Sequence, residues 1–155
     1  MRTVAAVRRR ASRGIATVEL AIALPVLLLL LTATVEVGRL LSEYDTLTKS
    51  VRNAARYLAS NSLQGTTGVV SITPLVQSAT ANLVVKGNVN GTGSALLPGL
   101  VSANVTVTNA GAGYVSVSAS YTYQPLLGAT LPTFGNGPPI ALGFPLNATT
   151  VMRAL

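Results

Sequence analysis

The chain has 155 residues, of which 49% are hydrophobic and 10% are charged. Soluble domains carry about 25% charged residues, so this chain is either partly in lipid or unusually neutral. It has no Cys and no His, and its four acidic residues, Glu19, Glu36, Glu43 and Asp45, all lie in the first third. General acid–base catalysis and metal binding need imidazole, thiolate or carboxylate groups, and residues 46–155 have none. We therefore predict no enzymatic activity, no cofactor, no metal site and no small-molecule substrate.

The net charge of +7 is concentrated at the N-terminus, where the positive residues are Arg2, Arg8, Arg9, Arg10 and Arg13. A basic cluster directly before an apolar run is the signal that keeps this end of a membrane protein in the cytoplasm. Patches that bind nucleic acid lie instead on a folded surface with polar or aromatic readers. The cluster therefore predicts membrane topology, and we expect no nucleic-acid partner.

An uncharged apolar run follows at residues 20–35 and extends back to residue 15, interrupted only by Glu19. About 20 apolar helical residues cross the hydrocarbon core of a bilayer, so residues 15–35 predict one transmembrane helix. Pro25 inside the run is tolerated there with a kink. The alternative is a cleaved secretory signal peptide with its hydrophobic region at residues 24–31. The length of the run, a poor small-residue cleavage site and Glu19 favour the anchor.

Residues 36–60 predict an amphipathic extension of the same helix, so that one helix covers about residues 15–59. Its apolar residues follow a heptad pattern, namely Val37, Leu40, Tyr44, Leu47, Val51, Ala54 and Leu58. This stripe fits packing against the chain's own C-terminal domain and also a coiled coil with another subunit. Glu36 and Arg39 are expected to mark the outer membrane interface as a solvated pair three residues apart.

Residues 61–155 predict a small neutral β-rich domain. Thr73 before Pro74 is typical of a helix N-terminus and predicts a short helix at residues 74–83. Alternating apolar and polar residues predict strands at 101–108 and 114–123, joined as a hairpin by a glycine-containing loop. The face expected to be half-buried comprises Val115, Val117, Ala119, Tyr121 and Tyr123.

A last strand is predicted at residues 144–153, and residues 63–68, 86–99 and 125–139 are predicted to be a linker and loops. The fold class is therefore α+β. We expect a long N-terminal transmembrane helix that extends into the periplasm and packs on a small antiparallel sheet of three strands.

The string RRASRGIATVELAIALPVLLLLL, followed by EVGRLL and SVRNAARYLA, resembles the TadE-like family of minor pseudopilins. The resemblance covers about residues 8–60. These proteins belong to tight-adherence (Flp-type) pilus systems, in which a prepilin peptidase cuts after the Gly that ends a basic leader. The fifth residue of the mature chain is a Glu. The resemblance implies a leader at residues 1–14 that ends in Gly14, a mature N-terminus at Ile15, and Glu19 at mature position five. Ile15 is bulkier than the small residues common at that position.

The resemblance also implies a role for Glu19 in assembly, as the partner of the free α-amine of an adjacent subunit. A carboxylate one turn inside a membrane span is costly unless it is paired, which independently indicates a function. The alternative is that Glu19 lies shallow enough to meet lipid headgroups or Arg13.

A minor pseudopilin of the bacterial inner membrane is the function that the resemblance implies. It would be a single-pass protein with a cytoplasmic N-terminus and a periplasmic C-terminal domain. Expected partners are the prepilin peptidase, other pilus or pseudopilin subunits, the inner-membrane assembly platform and the lipid bilayer. The alternative is an uncleaved, membrane-anchored periplasmic accessory or adhesin-like protein without a pilus role.

Overall fold

The computed structural model describes residues 4–63, 65, 68–126, 128–131 and 137–155, with side chains described from residue 14 onward except that of Leu131. In chain order the elements are α1 (Val4–Asn61), α2 (Pro74–Lys86), a one-turn 3-10 helix (Ser102–Asn104), β1 (Val105–Gly111), β2 (Tyr114–Thr122), β3 (Thr130–Leu131), β4 (Ile140–Ala141) and β5 (Pro145–Arg153). The chain forms two compact units, Met1–Gly38 and Arg39–Leu155. The α+β fold class is confirmed.

The first unit consists of apolar helix. Most of its large aliphatic side chains are exposed from Ile15 onward, and Pro25 lies within the helix. The hydroxyls of Thr32 and Thr34 donate hydrogen bonds to the carbonyls of Leu29 and Leu30, so these polar groups are satisfied within the helix itself. Internal satisfaction of this kind is what a lipid environment requires. In the part of the chain that the structure describes, α1 is the one helix long and apolar enough to cross a membrane.

The second unit is built around the C-terminal half of α1. Leu47, Val51, Ala54 and Leu58 are fully buried, and their spacing places them on one face of the helix. They form one hydrophobic cluster with residues of β2 such as Val115 and Val117. Of the two packing modes that the heptad pattern left open, the structure shows own-domain packing for these residues. Val37 and Tyr44, which belong to the same pattern, remain exposed.

The three-stranded antiparallel sheet has the order β1-β2-β5, with β2 in the centre. Val117 of β2 faces Val107 of β1 and Thr150 of β5. The five residues predicted on the half-buried face of the second strand, from Val115 to Tyr123, are all buried. Apolar and polar side chains alternate along β2 because one face of the strand meets the core and the other is a hydroxyl-rich surface.

The prediction for the first strand was wrong at both ends, because β1 begins at Val105 and continues to Gly111. Asn104 explains the late start. Its side chain accepts a hydrogen bond from the Val101 amide, and its own amide donates to the Val101 carbonyl. These local bonds fold residues 101–104 into a turn and remove them from the ladder. The predicted loop at residues 125–139 also overlaps a small ribbon, in which β3 pairs with β4.

Helix α2 begins where the sequence predicts. Thr73 caps it by accepting a hydrogen bond from the Val76 amide at 3.3 Å, and Pro74 occupies the first turn. The helix ends at Lys86, three residues later than predicted. Gly87 then adopts a left-handed conformation (φ 75°), and its amide donates to the Leu83 carbonyl. A glycine in this conformation is a common way to end a helix.

Two hydrogen bonds fix the sheet along the second half of α1. The Tyr121 hydroxyl donates to the Glu43 carboxylate at 3.0 Å, and the Leu155 amide donates to the Ala59 carbonyl at 3.0 Å. Leu146, near the start of β5, pairs with Tyr121. Strand β5 therefore runs beside α1 from the level of Glu43 to the level of Ala59.

We predict that a fragment of residues 39–155 folds without the apolar first unit, whereas a fragment of residues 62–155 does not. The shorter fragment loses the buried face of α1, and among the described residues α2 contributes only Val84 and Val85 to the buried core cluster. Circular dichroism with thermal unfolding measures this. Cooperative unfolding of residues 62–155 would show that α1 is dispensable for the core.

Candidate functional site

The residues singled out at the N-terminal end of α1 lie on an accessible stretch of helix. Gly14, Ile15 and Glu19 are all exposed, and a Cβ added at Gly14 would meet nothing within 4 Å. Ile15 and Glu19 are four residues apart and so share one helix face. Arg8, Arg9, Arg10 and Arg13 lie on helical backbone, and their side chains are outside the described residues. In the described chain Gly14 and the side chains of Ile15 and Glu19 are therefore accessible on the helix surface.

A second polar cluster lies at the start of the second unit. Arg39 Nη2 donates to Glu43 Oε1 at 3.0 Å, and the Tyr121 hydroxyl donates to Glu43 Oε2 at 3.0 Å. Both carboxylate oxygens of Glu43 are thus used, one by its own helix and one by the sheet. The Arg39 Nη1 atom is buried and has no hydrogen-bond partner among the described residues. The cluster joins α1 to the end of β2 through a charge that is mostly shielded from water.

Burial, the hydrogen bond to the Glu43 carboxylate and the charge of that carboxylate together raise the pKa of Tyr121 to about 12. Ionisation would place a phenolate against a carboxylate in a poorly solvated site. The hydroxyl therefore keeps its proton throughout the physiological range and acts as a fixed donor. This makes it a structural contact rather than an acid or base.

The expected solvated pair of Glu36 and Arg39 is corrected by the structure. Glu36 is only 4% exposed, and Arg39 forms its ion pair with Glu43, four residues later. The i,i+4 spacing brings two long side chains on a helix together as well as i,i+3 does, and Tyr121 fixes the Glu43 carboxylate in place. Asp45 and Lys49 form a further i,i+4 pair, but both are exposed, so it stabilises the fold little.

Sequence reasoning missed Glu43 and Tyr121 as a pair. The Arg39–Glu43 spacing is visible in the sequence as an i,i+4 pair. Tyr121 lies 78 residues away along the chain, and its alternation with Val115 and Val117 showed only that it faces inward. Among the described residues there is no cluster of three His, Asp or Glu side chains that could hold a metal ion.

Comparison with known proteins finds a family match in the N-terminal part of the chain. Residues 14–56 match the TadE-like protein family. The TadE-like match starts at Gly14, the residue predicted to end the leader, and it covers the apolar run and most of the helix face that builds the core. It confirms the predicted resemblance over these residues. Neither a curated protein nor a solved structure matches the chain significantly.

The TadE-like family implies a structural, pilin-like and non-enzymatic protein whose partners belong to the tight-adherence pilus machinery. Most of the sheet domain lies outside the match. The TadE-like segment thus lies within α1, and its apolar N-terminal part is long and apolar enough to span a membrane.

We predict that Tyr121→Phe lowers the free energy of unfolding at neutral pH by about 1.5–3 kcal/mol, the range for a hydrogen bond to a charged group. The variant leaves one oxygen of the shielded Glu43 carboxylate without its donor. Chemical denaturation in detergent measures the change. Tyr114→Phe, at the exposed opposite end of β2, is the control and should have little effect.

The raised pKa of Tyr121 predicts that the protein loses stability at alkaline pH. Because the pKa of Tyr121 is raised in the folded state, the unfolded chain releases the proton at lower pH than the folded chain does. Tyr121 therefore makes its full contribution to the free energy of unfolding below about pH 10. It is then lost as pH rises towards the folded-state pKa of about 12. Unfolding measured across this window should show a steeper decline for the unmodified chain than for Tyr121→Phe. Parallel declines would contradict the assignment.

Proposed function

We propose that the chain is a minor pseudopilin-like structural subunit in the assembly of a tight-adherence pilus. The observation that carries the proposal is the register at the start of the TadE-like match, where exposed Gly14 and Ile15 are followed by Glu19 and an uncharged apolar helix. A basic leader, a glycine, an acid at mature position five and a membrane-length helix are the features that assembly of a pilin-like subunit requires together.

In this proposal the basic leader, residues 1–14, holds the N-terminus in the cytoplasm until a prepilin peptidase removes it. Hydrolysis adds water across the peptide bond, leaving a carboxylate on Gly14 and a free ammonium group on Ile15. The cut also turns an internal turn of α1 into a helix N-terminus. Removal of the leader takes five arginines away from Glu19 and creates a new cation at the membrane surface.

Glu19 is then the group that contacts a neighbouring subunit. It lies one turn after Ile15 on the same exposed face, so it can meet an incoming ammonium group rather than a buried partner of its own unit. An ion pair in a low-dielectric environment is far stronger than one in water, which makes this carboxylate a selective contact between subunits in the membrane.

The remaining segments of the chain each have a place in this proposal. We propose that residues 15–35 span the inner membrane, that residues 36–60 continue into the periplasm, and that residues 61–155 form the periplasmic domain carried by this extension. Glu36 and Arg39 mark the outer interface. Residues after Asp45 have no acid, His or Cys, so the domain serves as a contact surface rather than a catalyst.

We predict that intact-mass measurement of the membrane-extracted protein, from cells with an active prepilin peptidase, gives a chain that starts at Ile15. Gly14→Val should retain Met1. The space around Gly14 is open, so the substitution tests recognition by the peptidase and not the fold. Gly38→Val, also in open space, is the matched control and should be processed normally.

An unmodified chain that still starts at Met1 in those cells would contradict leader processing. It would favour the alternative, an uncleaved single-pass protein with an accessory or adhesin-like role in the periplasm.

We further predict that Glu19→Ala leaves membrane insertion intact but sharply reduces co-purification with other pilus subunits. Removing a charge from the span makes insertion easier, whereas the subunit contact loses its carboxylate. Glu19→Gln should reduce co-purification similarly, because it keeps the shape of the side chain and removes its charge. Val18→Ala, one residue earlier and also exposed, is the control. Unchanged co-purification of Glu19→Ala would remove the assembly role of this residue.

A further inference from the structure

A groove runs along one side of the second half of α1. It consists of two open hollows, of about 300 Å³ and about 370 Å³. Asn53 and Leu83 line both hollows, so the two adjoin. On α1 the groove extends from Thr46 to Asn61, which is about 22 Å at 1.5 Å per residue. All its lining residues belong to the second unit. It is called the α1–α2 groove below.

The first wall of the α1–α2 groove is a polar face of α1. Lys49, Asn53 and Arg56 are spaced by four and three residues, so they lie on one side of the helix, and all three are exposed. Ser60 and Asn61 on the same wall donate hydrogen bonds to carbonyls of α1 itself. The side chains of Asn53 and Arg56 have no hydrogen-bond or ion-pair partner among the described residues. They are therefore the groups on this wall that are free to meet a ligand.

The second wall is the end of α2 with the loop that follows it, and this wall is apolar. Its side chains are those of Leu83, Val89 and Leu96. The Asn82 side chain donates to the Val89 carbonyl at 3.1 Å. The Leu96 amide donates to the Val85 carbonyl at 2.7 Å. These bonds hold the loop against α2, so the wall is formed before any ligand arrives.

The charges around the α1–α2 groove are unbalanced. Both acids of the second unit are already used, since Glu43 pairs with Arg39 and Asp45 pairs with Lys49 at 2.6 Å. Residues 46–155 contain no acid. Four cations have no carboxylate partner among the described residues, namely Arg52, Arg56, Lys86 and Arg153. Of these, Arg56 lines the groove, and Arg52 lies one turn before it on α1.

The two walls together describe a ligand with carboxylates on one side and apolar side chains on the other. Arg56 offers several N–H donors in a fixed fork, which suits a carboxylate. Lys49 can also contribute, because its pair with Asp45 is exposed and therefore weak. Lys49 and Arg56 are seven residues apart, about 10 Å along α1. A helical ligand with acids seven residues apart has the same spacing.

We propose that the α1–α2 groove binds an acidic amphipathic helix of a partner protein. Its carboxylates contact Arg56 and Asn53 in one hollow and Lys49 in the other. Its apolar side chains pack on the second wall, in the manner of a helix laid into a groove. Charge complementarity identifies the occupant. A second copy of this chain is not that occupant, because both acids of its second unit are already paired. The proposal concerns the second unit alone and does not depend on leader processing or on the span.

Binding of a synthetic peptide tests the proposal. The peptide is a helix of about 15 residues, the length of the groove, with Glu residues seven positions apart and Leu along the neighbouring face. A second peptide has Gln in place of each Glu. Each is labelled with fluorescein and titrated with the full-length protein in neutral detergent, and fluorescence anisotropy measures binding. The detergent concentration is held constant, so that partition of the peptide into micelles gives the same baseline in every titration.

We expect the acidic peptide to bind saturably and the Gln peptide to bind much more weakly. Arg56→Gln should weaken binding of the acidic peptide about tenfold, since a charged hydrogen-bond donor is lost. Val89→Ser should weaken it about fivefold by removing apolar contact. Arg153→Gln is the matched control, because it removes the same charge from an exposed position at the end of β5 that lines neither hollow. It should change the affinity less than about twofold, since salt screens distant charges.

No saturable binding of the acidic peptide, or equal binding of the Gln peptide, overturns the proposal. Equal losses for Arg56→Gln and Arg153→Gln would mean that net charge alone attracts the peptide. A loss for Arg56→Gln without one for Val89→Ser would place the peptide outside the groove, and either result also overturns the proposal. A labelled phosphatidylglycerol that binds in an Arg56-dependent way while the peptide does not would assign the groove to lipid headgroups instead of a protein partner.

Discussion

The buried face of α1, from Leu47 to Ala59, is the contact on which the second unit depends. The inward face of the sheet has side chains such as Val115, Val117 and Tyr121 that need an apolar partner, and this stretch of helix supplies it. A three-stranded sheet of this size buries too little surface to be stable alone. One helix therefore serves two environments, because its N-terminal half offers a mostly apolar surface outward and its C-terminal half directs its apolar surface into a core.

The change between these environments falls close to the Arg39–Glu43–Tyr121 cluster. An ion pair shielded from water contributes little net stability, because desolvation offsets much of the attraction. Its value is geometric: both oxygens of Glu43 are satisfied only when β2 lies at one height along α1. The apolar contacts hold the sheet to the helix, and this carboxylate fixes its register.

The sequence predicted features with local causes well. Thr73 and Pro74 fixed the start of α2 through their own chemistry, and alternation identified β2 because each of its faces meets a different environment. The start of β1 was missed because the bonds of Asn104 outweigh the apparent alternation. The two-residue strands β3 and β4 are too short to show any period.

The residues of the candidate site likewise differ in whether the sequence could predict them. Gly14 and Glu19 were found through the resemblance to a family whose spacing they share, not through a physical pattern that would have sufficed alone. The pairing of Glu43 with Tyr121 depends on tertiary packing between residues 78 positions apart. The heptad pattern could not separate Tyr44, which is exposed, from Leu47, which is buried, because a repeat in the sequence does not show where the partner surface begins.

The position of β5 beside α1 has a mechanical consequence. The strand lies along the helix between the bond at Glu43 and the bond at Ala59, and it pairs with β2 over its whole length. A pull directed along α1 would load the helix–sheet interface in shear, so that all its contacts resist together instead of opening one after another. A chain built in this way is suited to carrying tension through its helix while its domain stays folded.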